Sequence, residues 1–310
     1  MSTAAGGPAG AGPEDTVAEE ASADEVGVGE HGGAEHGRAD HVQHGDAEHE
    51  VLVDLRDVGK SYGSVHALRG VDLQVRAGEV TCVLGDNGAG KSTLIKIMAG
   101  LHEHSAGTLE VHGQERRLGS PRAAQALGIA TVHQDLALAP LMSVWRNFFM
   151  GHELRRGPFL DRAAMRRIAE EELRSMGIEV GDLDRPVGGL SGGQKQCVAI
   201  ARAIYFGASV IILDEPTAAL GVRQSGVVLR YIARARDAGL GVVLITHNPH
   251  HAYLVGSHFV VLTLGRVTLD AAREEITLEE LTAQMAGGQE LAALQHELRR
   301  GADEAGPVLS

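Results

Sequence analysis

Basic residues are scarce in this 310-residue chain: 28 Lys and Arg stand against 41 Asp and Glu, a formal net charge of −13. Nucleic-acid surfaces take their affinity from clustered Lys and Arg, so the balance argues against nucleic acid as a partner. Cysteine is nearly absent. Cys82 and Cys197 lie in apolar segments with no metal-ligand spacing, which predicts two reduced core thiols and excludes a disulfide scaffold. No run approaches the ~20 apolar residues that span a bilayer. The N-terminus lacks the basic start and apolar core of a secretory signal. The chain is therefore expected not to cross a membrane itself. Aromatics make up only 3% of the residues, but 44% are hydrophobic, enough for an aliphatic core.

The charge is unevenly spread. Residues 1–50 hold twelve acids and one base, Arg38, with five histidines (His31, His36, His41, His44 and His49) and almost no large apolar side chains. Such a segment cannot bury enough surface to offset chain entropy, so it is predicted to be a disordered acidic tail. Metal chelation by its histidines is the second reading. Order begins at Val51–Leu55, where apolar and polar residues alternate as in a strand, and Val71–Val75 alternates likewise. Glu79–Leu84 reads as a strand running into a glycine loop. Between about 121 and 190 the pattern turns helical: Met165, Ile168, Ala169, Leu173 and Met176 recur at helical spacing, with Gly177 as a stop. Apolar strands return at Val210–Leu213 and Val242–Ile245, separated by a helical pattern from Gly226 to Ala238. Strand–helix–strand alternation with continuous apolar strands predicts an α/β fold, its sheet mainly parallel and covered on both faces. The helical stretch is predicted to be an inserted subdomain, and 286–310 a polar C-terminal tail.

Gly85-Asp86-Asn87-Gly88-Ala89-Gly90-Lys91-Ser92-Thr93 matches G-x-x-x-x-G-K-[ST] between an apolar strand and a helical pattern. The glycines let successive N–H groups point into an anion-sized hollow, and the following helix adds its positive end. Lys91 supplies charge to the β and γ phosphates, and the Ser92 hydroxyl suits Mg²⁺. Val210-Ile-Ile-Leu-Asp-Glu-Pro216 is a buried strand ending in two carboxylates. Asp214 is placed to hold Mg²⁺, and Glu215, one residue on, to act as base toward an attacking water. These residues predict a P-loop nucleotide hydrolase, an ATPase or a GTPase, that works with Mg²⁺.

Leu190-Ser-Gly-Gly-Gln194 stands about a hundred residues past Lys91 and about twenty before Asp214. With it the sequence over roughly 51–285 resembles the ABC ATPases, whose signature these five residues reproduce. The resemblance implies a P-loop core with an N-terminal antiparallel β subdomain, and it assigns further roles. Tyr62 matches the aromatic that stacks on adenine. Gln134 matches the glutamine that touches Mg²⁺ and the attacking water, and His247 the histidine at the γ phosphate. Ser191, Gly192, Gly193 and Gln194 match the segment that completes the nucleotide site of a second copy, implying a homodimer or a pairing with a similar chain.

Four stretches are similar to a narrower branch, the ATPases of simple-sugar importers: His133–Ala137, Leu141–Gly151, Ala218–Val222 and Thr246–Ala252. That similarity implies a separate membrane permease, an extracytoplasmic sugar-binding protein and a place at the cytoplasmic face of the membrane. Competing readings are a soluble family member acting in translation or DNA repair, an importer of another solute, and an exporter subunit. Met142, Val144, Phe148 and Phe149 lie where the family contacts its permease, and their pattern suits docking or core packing equally. Gly221 stands where most of the family carries Asp, which puts coupling between two sites in doubt.

Overall fold

The structure, a computed structural model, describes residues 49–286. Residues 1–48 of the acidic tail, with its first four histidines, and the segment after 286 lie outside that range. β1 (Val51–Tyr62) and β2 (Val65–Arg76) form an antiparallel hairpin, each strand longer than its alternation predicts. Register shifts around Val58 and a left-handed Asp57 break the period of two, which hides the second half of β1 and the first half of β2, its partner, from pattern reading. β3 (Val80–Leu84) leads through the glycine loop into α1 (Lys91–Met98). β4 (Ala106–Val111) and β5 (Gln114–Glu115) complete a four-stranded antiparallel sheet in the order β2-β1-β4-β5.

After α2 (Pro121–Ala126), capped by Ser120, comes β6 (Ile129–Val132). β6 pairs in parallel with a core strand, so the helical insertion begins after it and not at about 121. The insertion contains α3 (Val144–Phe149), a short hairpin of β7 (Arg155–Arg156) and β8 (Phe159–Leu160), and α4 (Arg162–Ser175). Then follow α5 (Gly192–Tyr205), β9 (Val210–Asp214), α6 (Val222–Asp237) and β10 (Gly241–Ile245). α6 starts four residues before the pattern that marks it, because its first turn, Val222–Ser225, carries an exposed Val222. α7 (Pro249–Val255), β11 (His258–Thr263), β12 (Arg266–Ala272) and α8 (Leu278–Met285) close the described chain.

The main sheet runs β12-β11-β3-β10-β9-β6, all parallel except β12. Its side chains divide by the period of two. Cys82, Leu84, Ile211, Leu213, Leu244 and Val261 pack with the helices of one face. Val83, Ile212, Val243, Ile245 and Val260 pack with α1 and the antiparallel sheet on the other. Both cysteines are free and buried, and burial pushes the Cys197 thiol up to about 12. Among the described residues no helix is long and apolar enough to cross a membrane.

Val144, Phe148 and Phe149 are fully buried in the cluster that also holds α4 and α5, so they are core residues and not a docking face. The buried Asn147 fixes this segment. Its Nδ2 donates to the carbonyls of Ala139, Met142 and Ser143, and its Oδ1 accepts from Ala139 N–H. Outside that core, Leu141 is 93% exposed.

Candidate functional site

In open parallel sheets, loops leaving the carboxyl ends of adjacent strands converge on one crevice. Here β3, β10, β9 and β6 are neighbours. They deliver the glycine loop, Thr246-His247, Asp214-Glu215 and Gln134 to the same edge. A cavity of about 600 Å³ opens there, lined by Asn87, Gly88, Gly90, Lys91, Ser92, Thr93, Gln134, Asp214 and Glu215. Lys91 and Asp214, 123 residues apart in sequence, thus share one wall.

Two loop glycines are required by space as well as by angle. At Gly85 (φ 138°) a Cβ would meet Leu262 O at 2.3 Å; at Gly90 (φ 110°) it would lie 2.9 Å from Ala67 O. The loop is tied down from outside: Gly265 N–H donates to Ala89 O at 2.9 Å, and Arg69 N–H to Gly265 O at 2.8 Å. Lys91 is only 8% exposed. Its Nζ folds back over the loop, donating to Gly85 O (2.5 Å) and Asp86 O (2.9 Å). Burial lowers its pKa, against the pull of Glu215, Asp86 and Asp214.

Burial raises the pKa of Asp214, with Glu215 adding to it, while His133 and Lys91 oppose it. The folded state therefore holds more protons than the unfolded one just above the ordinary carboxylate range. The stability from this group is full below that range and is lost as pH rises through the raised value. At neutral pH Asp214 is a burden on the nucleotide-free chain. Asp214→Asn should accordingly raise the unfolding temperature without ligand, yet lose most of the stabilisation given by MgATP, about 2.7 kcal/mol for wild type at a hundred times Kd. Thermal unfolding with and without MgATP checks both signs.

Glu215 adopts φ 47°, a left-handed conformation that costs a non-glycine residue about 1–2 kcal/mol. Its backbone is held by N–H donation to Ile245 O at 2.9 Å. Thr246 Oγ1 donates to Glu215 Oε2 (3.3 Å), and His247 Nδ1 lies 2.8 Å from Oε1. A carboxylate only accepts, so the imidazole carries its proton on Nδ1 in this bond. The structure thus pairs the sequence-selected His247 with the base candidate 32 residues away. Thr246, buried beside it, opens the Thr246–Ala252 stretch, from which the sequence assigns it no role.

Ser191–Gln194 stand elsewhere. Ser191 caps α5, its Oγ accepting from Gln194 N–H while Gln194 Oε1 accepts from Ser191 N–H. A Cβ on Gly192 would lie 2.6 Å from Leu220 Cδ2, so this glycine also serves the approach of α5 to the start of α6. None of the four lines the cavity. Tyr62, 42% exposed, does not line it either; its ring meets His102 edge-on at 5.6 Å. Val65, His66, Ala67, Arg69 and Leu264 do line it, and no motif marked them. Gly221 caps α6 with φ −71°, and a Cβ there would meet nothing within 4 Å. The backbone at this position does not need glycine.

Known proteins resemble this chain in sequence and in fold. A family model described as ABC transporter matches residues 68–218, which include the glycine loop, Leu190–Gln194 and Asp214-Glu215. The xylose/arabinose import ATP-binding protein of Sulfolobus acidocaldarius is 44% identical over 234 residues, covering 76% of this chain and 93% of that protein. The fructose import ATP-binding protein of Rhizobium meliloti is 40% identical over 249 residues, covering 78% and 96%. A solved dimeric, post-hydrolysis ATP-binding cassette with ADP and Pi is 26% identical, with a TM-score of 0.61, covering 73% of this chain and 100% of that one. The chain belongs to the ABC transporter family, as one of its ATP-hydrolysing cassettes.

Proposed function

We propose that this chain energises import of a simple sugar through a separate membrane permease, at the cytoplasmic face of the membrane, with an extracytoplasmic binding protein delivering the sugar. The observation that carries its hydrolytic part is the single cavity shared by Lys91, Ser92, Gln134, Asp214 and Glu215. The cargo rests on the similarity to xylose/arabinose and fructose import proteins. In this reading 51–285 is the ATPase domain between two polar tails.

Residues Gly85 to Thr93 cradle the phosphates through backbone N–H groups, and Lys91 turns its Nζ from the loop carbonyls to the anion. Tyr62 is the proposed stacking partner of adenine. The Ser92 hydroxyl, the Gln134 amide oxygen and the half-buried Asp214 carboxylate are hard oxygen donors on one wall, a set that fits Mg²⁺ bound together with substrate phosphates. When bound, the ion neutralises charge on the phosphoryl oxygens. Glu215 takes the proton of the attacking water, oriented by Thr246 and His247. His247 also faces the γ phosphate. Ser191–Gln194 act on the nucleotide of a second copy, consistent with their absence from the cavity wall and with the dimeric solved cassette.

Uptake tests the cargo. Membrane vesicles carrying the chain with a sugar permease and its binding protein should accumulate a labelled pentose or fructose only with internal ATP. Full ATP turnover without uptake of any simple sugar would overturn the assignment.

A further inference from the structure

The turn joining β11 to β12 carries a residue that nothing in the phosphate chemistry explains. Thr263 pairs with Arg266, leaving the two-residue turn Leu264-Gly265 with φ 49° and 79°. Two positive φ values favour Asn, Asp or Gly; a leucine there is strained. Leu264 gains nothing from the core in return, since it is 75% exposed. It does line the nucleotide cavity, beside Val65, 63% exposed on β2. The turn is not free to swing, because Gly265 is hydrogen-bonded to Ala89 of the phosphate loop and to Arg69.

The cavity is thus polar where the loop and the carboxylates lie and has exposed apolar side chains at Val65 and Leu264. A nucleoside triphosphate has the same division: a charged chain and a flat base whose faces seek apolar cover. We propose that Leu264 is a specificity-determining contact for the nucleoside part of the substrate, held in a strained turn so that its side chain covers the base when ATP binds. This rests on the ATPase reading above and adds a wall for the base that is separate from Tyr62.

The test compares ATP with inorganic tripolyphosphate, which has the charge and lacks the base, on the full chain with Leu264→Gly and Leu264→Asn. Both substitutions suit the turn, so both variants should fold and unfold at or above the wild-type temperature. Removing an apolar contact of this size should weaken ATP about five-fold by calorimetry and leave tripolyphosphate affinity unchanged. Tyr62→Ala is measured alongside. Unchanged ATP affinity in both Leu264 variants, with or without a loss in Tyr62→Ala, overturns the proposal. So does equal weakening of ATP and tripolyphosphate, which would place the effect on the loop. A wild-type chain that binds neither ligand would instead remove the ATPase reading on which the proposal stands.

Discussion

Glu215→Gln should lower ATP turnover by about 10²–10⁴-fold, the range for removing a general base, while ATP affinity stays within a few-fold of wild type. The amide keeps the shape of the side chain, and its single carbonyl oxygen can replace one of the two carboxylate oxygens, that facing His247 Nδ1 or that facing Thr246 Oγ1. It cannot take a proton from water. Because binding survives and hydrolysis stops, ATP should hold the variant in a dimer that wild type only visits. Light scattering with MgATP reads the dimer, and phosphate release reads the turnover. Undiminished release would remove Glu215 from its assigned role. Equal loss of ATP binding would point instead to collapse of the strained turn at φ 47°.

Ser191→Asp should be nearly as damaging by a different route. Asp is as good a helix cap as Ser, and its charge suits a helix N-terminus, so α5 should remain intact. No part of the cavity is touched, since Ser191 does not line it. ATP affinity of the isolated chain should therefore be unchanged. Turnover should nevertheless fall by about 10²–10³-fold if Ser191 completes a partner's site as proposed, because the new carboxylate would then face bound phosphates and like charges brought together cost several kcal/mol. A variant with normal turnover would leave Ser191 with its capping bond alone, the role that the described residues show directly.

How much of this was legible beforehand depended on how locally each feature is encoded. The glycine loop is readable because its nine residues are contiguous between a strand and a helix, although the atoms that exclude a Cβ at Gly85 and Gly90 belong to distant Leu262 and Ala67. Asp214-Glu215 is readable because a buried strand ends there. The covered parallel sheet followed from uninterrupted apolar strands. The second half of β1 and the first half of β2 are not readable, because bulges break the alternation. β6 is only four residues long and declares itself only by pairing with β9, so the helical insertion was drawn too early. Phe148 and Phe149 were ambiguous for the opposite reason: an apolar stripe looks the same whether it meets the core or a partner, and only the packing of α4 and α5 decides. The contacts of Glu215 with His247, and the cavity positions of Val65 and Leu264, arise from chain crossings no local pattern records.

The central claim is that one copy supplies the cavity and another the signature segment. Mixing Glu215→Gln with Ser191→Asp tests it, since each variant lacks what the other keeps. Apart, both should be nearly inactive. In an equimolar mixture, half the dimers pair an intact cavity on one copy with an intact signature on the other. Activity should then return to roughly a quarter of wild type. A mixture no more active than its separate components would contradict a site built from two copies.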